Sequence, residues 1–459
     1  MNLKNKKIIV MGLARSGIAS AKFLANQGAS VTIIDEYKSV NDVKHDAEDL
    51  LKRGVKFKIG IPKLSDFYKV DLTVISPGIP HKTVILENIS RNGIPVIGEI
   101  ELASNFINKP IIAVTGTNGK TSTVKLIEKM LINSSKKVFL GGNIGVPLIE
   151  CLDHLKQFEI IIAEISSFQL DTVKSFKPTT SVLLNIAVDH MNRYSNFNNY
   201  INSKLKIFSN QTAHDVAIFN ISDKNTKRAI DSITLKGKQQ PFSNTPISTG
   251  VHISKNSLII YENKKPLCEF NLAKSSLKGN HNKENIAAAS IAALTEGGNK
   301  KGIQTAIDNF DGLSHRIETI GTFSGIKFVN DSKATNVHAT ISAIKCFSTP
   351  IILILGGQSK NDDFTLLRPL LSQQHIKNIV VMGEARNDIK EALSYDYINS
   401  KLIMTERMEE AFERSIKIAR AGYTVLLSPA CSSFDQFKDY KHRGHKFKKL
   451  VKNLIYNIN

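Results

Sequence analysis

The stretch AVTGTNGKTS, Ala113 to Ser122, closes an apolar run, turns on two glycines and then offers a lysine and two hydroxyls. A glycine turn between a buried strand and a helix aims backbone N–H groups and the positive helix end at one point, which suits a phosphate. There Gly116, Thr117, Asn118 and Gly119 form the cradle, and Lys120 meets the β- and γ-phosphates. Thr121 turns its hydroxyl to Mg2+, with Ser122 beside it. The strict P-loop pattern is not met, because its opening glycine would fall at Val114 and stands instead at Gly116. FEIIIAEISS ends a second apolar run on Glu164, at the strand end where ligands of parallel sheets gather. Its hard oxygens would complete the Mg2+ shell begun by Thr121. VLLNIAVDHMNRY repeats the arrangement with Asp189 and His190. A strand-end Glu or a lone His is more often a capping or structural residue. Two strands delivering such groups beside one glycine turn are a less ordinary coincidence.

Positioning those residues takes parallel strands, and the chain supplies them. KKIIVMG, VTIIDEY, LTVISPGIP and IPVIGEI are strand-like runs in the first hundred residues, and GIASAKFLANQG between two of them has helical periodicity. That is a βαβ pattern. A second unit opens at KPIIAVTG and runs through KVFLGGNIG, FEIIIAEISS, TSVLLNIAVDH and DVAIFNIS. Residues 235–275 read as hairpins, and GNHNKENIAAASIAALTEGG reads as a long helix. After FDGLSHRIE a third unit carries IKFVNDSKAT, PIILILGGQS, KNIVVMGEA, KLIMTE and TVLLSPA. The expectation is an α/β protein of three domains: 1–108, 109–313 and 314–459.

Bulk properties narrow the classes. With 459 residues, 42% apolar and 22% charged, the chain can build more than one sizeable core. No apolar run approaches the roughly 18 residues that span a bilayer. The opening MNLKNKKIIVMGLARSG breaks at Gly12 and Arg15, so it reads as a first strand entering a turn and not as a signal peptide. Cys151, Cys268, Cys346 and Cys431 lie far apart, which argues against a metal cluster or disulfide framework and fits a reducing cytoplasm. The net charge of +20 suits polyanionic substrates, while its basic residues are scattered without the aromatic pairing of nucleic-acid readers. GLARSG has Ala14 where the dinucleotide fingerprint needs its second glycine, so NAD is poorly supported. Ser76 in ISPGIP and Asn143 in GGNIG suit turns.

Seven motifs follow one another: TGTNGKT, EISSFQL, LNIAVDHMNRY, GNHNKENIAAA, GLSHRIE, NDSKATN and LLSPACSSFDQFKDYKHRG. In this order the chain resembles the Mur ligase superfamily of cell-wall enzymes, and SSFQL, NDSKATN and SPACSSFDQF resemble its D-glutamate-adding members. The shortened loop is that superfamily's own form of ATP site. The resemblance implies a Rossmann-like N-terminal domain for a UDP substrate, a central ATPase domain, and a Rossmann-like C-terminal domain for an amino acid. It implies ATP-driven amide synthesis through an acyl phosphate, in the cytoplasmic stage of peptidoglycan synthesis. It also implies ATP and two Mg2+ ions as cofactors, and UDP-N-acetylmuramoyl-L-alanine and D-glutamate as substrates. The enzyme is expected to be a monomer with no nucleic-acid or membrane partner.

Residue by residue, the resemblance places Arg15, Ser16, Asp35, Ser76 and Asn143 on the UDP substrate, although Asp35-Glu36-Tyr37 replaces the usual Asp-Thr-Arg. Lys204 matches a carbamylated lysine that joins His190 at the second Mg2+; composition alone makes it a surface helix lysine. Asn282 and Asn285 match adenine contacts, His315 and Arg316 an inter-domain joint that reaches ATP, and Asp331 a ribose contact. Lys333 and Thr335 fall at the reacting end, while Lys360, Ser433, Phe434 and Tyr440 fall in the amino-acid pocket. The alternatives are a sister ligase adding another amino acid or a folylpolyglutamate synthase-like enzyme, which lacks a UDP domain. A basic P-loop NTPase acting on nucleic acid would leave NDSKATN without a role.

Overall fold

The computed structural model describes residues 1–38, 42, 44–80, 83–277, 279–360, 362–394 and 396–456. Three sheets carry the chain. The first holds β1 (Lys7–Met11), β2 (Ser30–Asp35), β3 (Lys56–Ile59), β4 (Leu72–Ile75) and β5 (Val96–Gly98), all parallel, in the order β3-β2-β1-β4-β5. The second runs from β6 (Ile111–Thr115), β7 (Val138–Gly142), β8 (Ile160–Glu164), β9 (Thr180–Leu183) and β10 (Val216–Asn220) to β11 (Lys238–Ser243), β12 (Gly250–Ile253), β13 (Ser257–Glu262) and β14 (Lys265–Asn271). Its order is β14-β13-β12-β11-β10-β9-β6-β8-β7. The third contains β15 (Glu318–Phe323), β16 (Ile326–Asn330), β17 (Ile351–Gly356), β18 (Ile376–Met382), β19 (Leu402–Met404) and β20 (Thr424–Leu427), in the order β15-β16-β20-β17-β18-β19. The protein is thus an α/β fold of three sheet-centred parts.

Continuous apolar runs form the central strands because helices cover both faces of a parallel sheet. Every residue of β6, β8, β9, β17 and β20 is buried. Each Ile, Leu or Val taken fully from water there contributes roughly 1.5–3 kcal/mol. Two strands escape the sequence reading. β3 (KFKI) is half-exposed and lysine-rich, and β15 (ETIGTF) pairs antiparallel at a sheet edge with a bulge at Thr319/Gly321. The hairpin expectation for 235–275 holds only for β12, β13 and β14, which pair antiparallel. β11 lies parallel to β10, because the helix Lys224–Asp231 between them returns the chain to the same end of the sheet.

Contacts divide the chain into two compact units. One holds Met1–Ile186, Asn198–Lys274 and Glu284–Asn309, with the first two sheets; the other holds Ala187–Phe197, Ser275–Lys283 and Phe310–Asn459, with the third. Two buried carboxylates on the short helix Glu99–Ser104 fasten the first sheet's end to segments of the second. Glu101 accepts from the N–H groups of Lys174 (2.9 Å), Ser175 (2.8 Å) and Phe176 (3.0 Å). Glu99 accepts from Ile149 N–H at 2.7 Å, while its Oε2 is buried without a hydrogen bond. No helix among the described residues is long and apolar enough to cross a membrane.

Burial pushes Glu99 up to about 7, so the folded state favours its protonated form. Its contribution to stability is therefore complete below about pH 4.5 and is lost as pH rises toward 7. Glu99→Gln, which mimics the neutral acid, should melt with the parent near pH 5 and above it at pH 8, by an amount on the order of 2 kcal/mol. Melting curves of the two proteins that run parallel from pH 5 to 8 would show that Glu99 stays ionised.

Candidate active site

In the first unit the phosphate loop follows β6 and opens the helix Lys120–Asn133. Gly116 (φ 153°) and Gly119 (φ 88°) occupy backbone conformations that side chains resist. A Cβ on Gly119 would sit 2.3 Å from Asn285 Oδ1, and one on Gly116 would sit 3.0 Å from Leu184 Cβ. Asn185, just past β9, clamps the loop: it accepts from Asn118 N–H at 2.8 Å, donates to Asn118 O at 3.0 Å, and its own carbonyl takes Thr117 N–H at 2.9 Å. Lys120 folds over this cradle, donating to Gly116 O at 2.7 Å and Thr117 O at 2.9 Å. Thr121 and Ser122 stand in the first turn of the helix.

Lys204 is not the surface lysine that composition suggests. It is 1% exposed on the helix Phe197–Leu205 and donates to the same Gly116 O at 3.0 Å. Its Nζ lies 4.5 Å from the centre of the Tyr200 ring, and the Tyr200 hydroxyl stands 3.0 Å from Thr117 Oγ1. Two amines thus converge on one carbonyl oxygen. As two ammonium ions they repel each other in a site largely closed to water. Glu164 ends β8, 3% exposed, with Oε1 accepting from Asn143 Nδ2 at 2.7 Å and Oε2 buried without a hydrogen bond. β8 pairs with β6 so that Glu164 lies opposite Val114, beside the loop. An orphaned carboxylate oxygen at a strand end beside the loop fits a hard divalent cation such as Mg2+. No group of three or more His, Cys, Asp or Glu able to hold a metal is assembled among the described residues.

At the first sheet, Gly12 (φ 100°) turns the chain into the helix Arg15–Asn26, whose first turn holds Arg15 and Ser16 with no side-chain cap at Ala14. Ser76 is 6% exposed and pressed on this turn: a Cβ on Gly12 would meet its Oγ at 2.7 Å. Asp35 spends its carboxylate on three backbone N–H groups, of Leu13 (2.6 Å), Lys38 (2.8 Å) and Tyr37 (2.9 Å). Burial opposes its ionisation, yet those N–H groups together hold the acid below its usual value. The Tyr37 side chain beside it is exposed.

The second unit holds most of the remaining candidates, with Asp331, Lys360 and Ser433 each following a strand of its sheet. Asp331 follows β16 and accepts from the Ser428 hydroxyl at 2.8 Å and Ile317 N–H at 3.1 Å; burial pushes it up to about 7 against both. His315 is buried, with Nδ1 2.9 Å from Asn330 Nδ2, and burial lowers its pKa. Arg316 follows it and is half-buried. Lys333 Nζ stands 4.2 Å over the Tyr440 ring, and Thr335 N–H donates to Lys333 O at 2.8 Å. Lys360 Nζ pairs with Asp189 at 3.5 Å. Ser433 is buried and Phe434 is exposed, so Phe434 is not core packing. His190 has φ 60°, and its Nε2 lies 3.7 Å from Asp189. Asn282 is half-exposed and Asn285 buried, both on the helix Asn280–Thr295. Lys204 falls in the first unit and His190 in the second.

Three family profiles match the chain: a Mur ligase MurD-like N-terminal domain over residues 6–98, a Mur ligase middle domain over 114–293, and a Mur ligase glutamate ligase domain over 315–431. A UDP-N-acetylmuramoylalanine--D-glutamate ligase from Desulfatibacillum aliphaticivorans is 41% identical over 99% of this chain and 100% of its own length. Its counterpart from Desulfosudis oleivorans is 40% identical over 98% and 97%. The chain belongs to the Mur ligase family. Among solved structures, a pseudomurein peptide ligase type C from Methanothermus fervidus shares the fold with TM-score 0.60 at 18% identity, covering 99% of this chain and 100% of that one. MurF from Acinetobacter baumannii does so with TM-score 0.59 at 14% identity, over 97% and 93%.

Three residues of this Mur ligase's site go unread in the sequence. Asn185 and Tyr200 carry no spacing signal, since one lies inside a strand-end run and the other looks like a core aromatic. Arg443 sits in the basic run KDYKHRGHKF, yet it is 0% exposed. Its guanidinium donates to Ser332 Oγ (3.0 Å), Ser332 O (2.9 Å), Ser432 O (3.0 Å) and Cys431 O (3.0 Å). It thereby clips the NDSKATN loop to the SPACSS loop, and burial pulls it down to about 10. Arg443→Lys keeps the charge but cannot span both loops. It should cost roughly 2–4 kcal/mol of stability by chemical unfolding. An Arg443→Lys protein that unfolds with the parent would deny the clip.

Proposed function

We propose that this Mur ligase joins D-glutamate to UDP-N-acetylmuramoyl-L-alanine at the expense of ATP, in a step of peptidoglycan synthesis carried out in the cytoplasm. The observation that carries this reading is its similarity, along 99% of the chain, to ligases of that name. Residues 1–108 take the UDP substrate, 109–313 take ATP and Mg2+, and 314–459 take the amino acid. The enzyme works as a monomer.

A carboxylate is a poor electrophile, so the L-alanyl carboxylate of the substrate first takes the γ-phosphoryl group of ATP. The D-glutamate amine then attacks the acyl phosphate and phosphate leaves. Catalysis of this kind is largely positioning and neutralisation of phosphoryl charge. The loop N–H groups from Gly116 to Gly119 hold the phosphates, and Lys120 exchanges its loop carbonyls for phosphoryl oxygens. Asn285 and Asn282 take the adenine, Asp331 the ribose, and His315 and Arg316 the nucleotide's remaining polar edge. Mg2+, when bound, draws charge from the phosphates and brings anionic partners within reach of each other. Thr121 and the free oxygen of Glu164 hold one ion, with Asn143 orienting Glu164. His190 presents its imidazole in the second unit. Lys333 faces the reacting carboxylate, while Thr335, Lys360, Ser433, Phe434 and Tyr440 form the amino-acid pocket. Arg15, Ser16 and Ser76 line the UDP side, and Asp35 orders the turn that presents them.

We assign Lys204 as a carbamate that serves a second Mg2+. The motive is the pair of amines on Gly116 O: adding CO2 to Lys204 replaces a repelling cation by an anion with two hard oxygens. Lys204→Ala should lose nearly all activity, short carboxylic acids should restore part of it, and Lys204→Arg should stay inactive. Activity in Lys204→Arg with no rescue of Lys204→Ala would exclude the carbamate.

Phosphate release from ATP, measured with UDP-N-acetylmuramoyl-L-alanine and a panel of amino acids, tests the whole reading. D-Glutamate should support release, and L-glutamate and L-lysine should not. Equal turnover with L-alanine or a diamino acid would assign the chain to a sister reaction.

A further inference from the structure

The carboxylate of Asp189 joins three segments of the second unit. Oδ1 accepts the N–H of His190 at 2.9 Å and stands 3.5 Å from Lys360 Nζ. Oδ2 accepts from Asn336 Nδ2 at 3.2 Å and lies 3.7 Å from His190 Nε2. The carboxylate is fixed in place from both sides. Asn336 caps the helix Val337–Ile344, with its Oδ1 taking Ala339 N–H at 2.9 Å, so its amide NH2 is aimed at Asp189. On the other side His190 is held at φ 60° by its carbonyl, which accepts from Arg193 N–H (2.9 Å) and Tyr194 N–H (3.2 Å). Asp189 itself is 8% exposed.

Lys360 is the adjustable member of this group. Its backbone N–H donates to Asp362 at 3.2 Å, which fixes the start of the side chain, and its ammonium reaches Asp189 over four rotatable bonds. An ammonium has three donors, and a single ion pair at 3.5 Å orients it without using them all. Holding a flexible lysine in advance removes an ordering cost from ligand binding.

We propose that Asp189 is a positioning residue for the amino-acid substrate: it holds the Lys360 ammonium where that group receives the substrate's carboxylate, and ties the lysine to the backbone of His190. The inference rests on the reading of Lys360 as the carboxylate's partner. Asp189 then acts on the amino acid through Lys360 and touches neither ATP nor the UDP substrate.

Steady-state kinetics with D-glutamate varied, in the parent, Asp189→Asn, Lys360→Gln and the double variant, tests this. Asparagine keeps an acceptor for His190 N–H but loses the charge that orients the lysine. Asp189→Asn should raise the D-glutamate KM roughly tenfold and leave the ATP KM within about twofold, the scale of one charge-assisted contact. In the Lys360→Gln background the Asp189→Asn change should add nothing further. Asp189→Glu, which restores a carboxylate, should recover part of the loss. Effects that multiply in the double variant, or KM values that rise together for all three substrates, would overturn the positioning role while leaving Lys360 in its pocket. A Lys360→Gln enzyme with unchanged D-glutamate KM would overturn both.

Discussion

The carbonyl oxygen of Gly116 is the point on which the phosphate site turns. Lys120 and Lys204 both donate to it, and the loop that carries it is pinned by Asn185. The residue that carries this carbonyl has φ 153°, a conformation that side chains resist. Gly119 then has to reverse the chain at φ 88° within contact of Asn285. The cradle's shape therefore comes from an electrostatic demand on one atom, met by two glycines and one clamp.

That demand explains why the loop is shorter than a strict P-loop without losing its geometry. In the longer pattern the opening glycine stands two residues further back, at the position of Val114. Here Thr117 N–H and the Asn118 backbone are tied to Asn185 on the neighbouring strand's exit, so the turn is enforced from outside. The sequence pointed to this loop as a phosphate cradle, because glycines at strand ends and a following lysine have a local spacing. It was silent on Asn185, since the clamp is a contact between strands that are neighbours only in the folded sheet.

The same division runs through the rest of the chain. The α/β class was legible because central parallel strands are apolar along their whole length, as in IIAVT, IIIAE and IILILG. β3 and β15 were missed because edge strands carry lysine, threonine and glycine where one side meets water. β11 was misread because pairing direction depends on the connection and not on the strand's own residues. Glu164 was found from its place at a strand end. That one of its oxygens is left without a donor is visible only in three dimensions. Lys204 and Arg443 were both hidden by composition, because a lysine-rich chain gives no sign of which cations lie inside.

Those interior charges follow one rule. Lys120, Lys204 and Arg443 are solvated by carbonyl oxygens, and Glu101 and Asp35 by backbone N–H groups. Each of these contacts is made to a backbone group. A buried ion paired with a counter-ion is neutralised and has little left for a ligand, whereas one held by backbone dipoles keeps its field. The arrangement also fixes loops, since each charge gathers two to four peptide groups that would otherwise need other partners. Asp189, like Asp215 beside Lys177, faces a cation, Lys360, as well as backbone and amide donors. Glu164, like Glu99, has an oxygen with no donor at all. Asp189 stands beside His190 in the second unit and Glu164 beside the glycine loop in the first, so these two departures from backbone satisfaction fall next to candidate site residues.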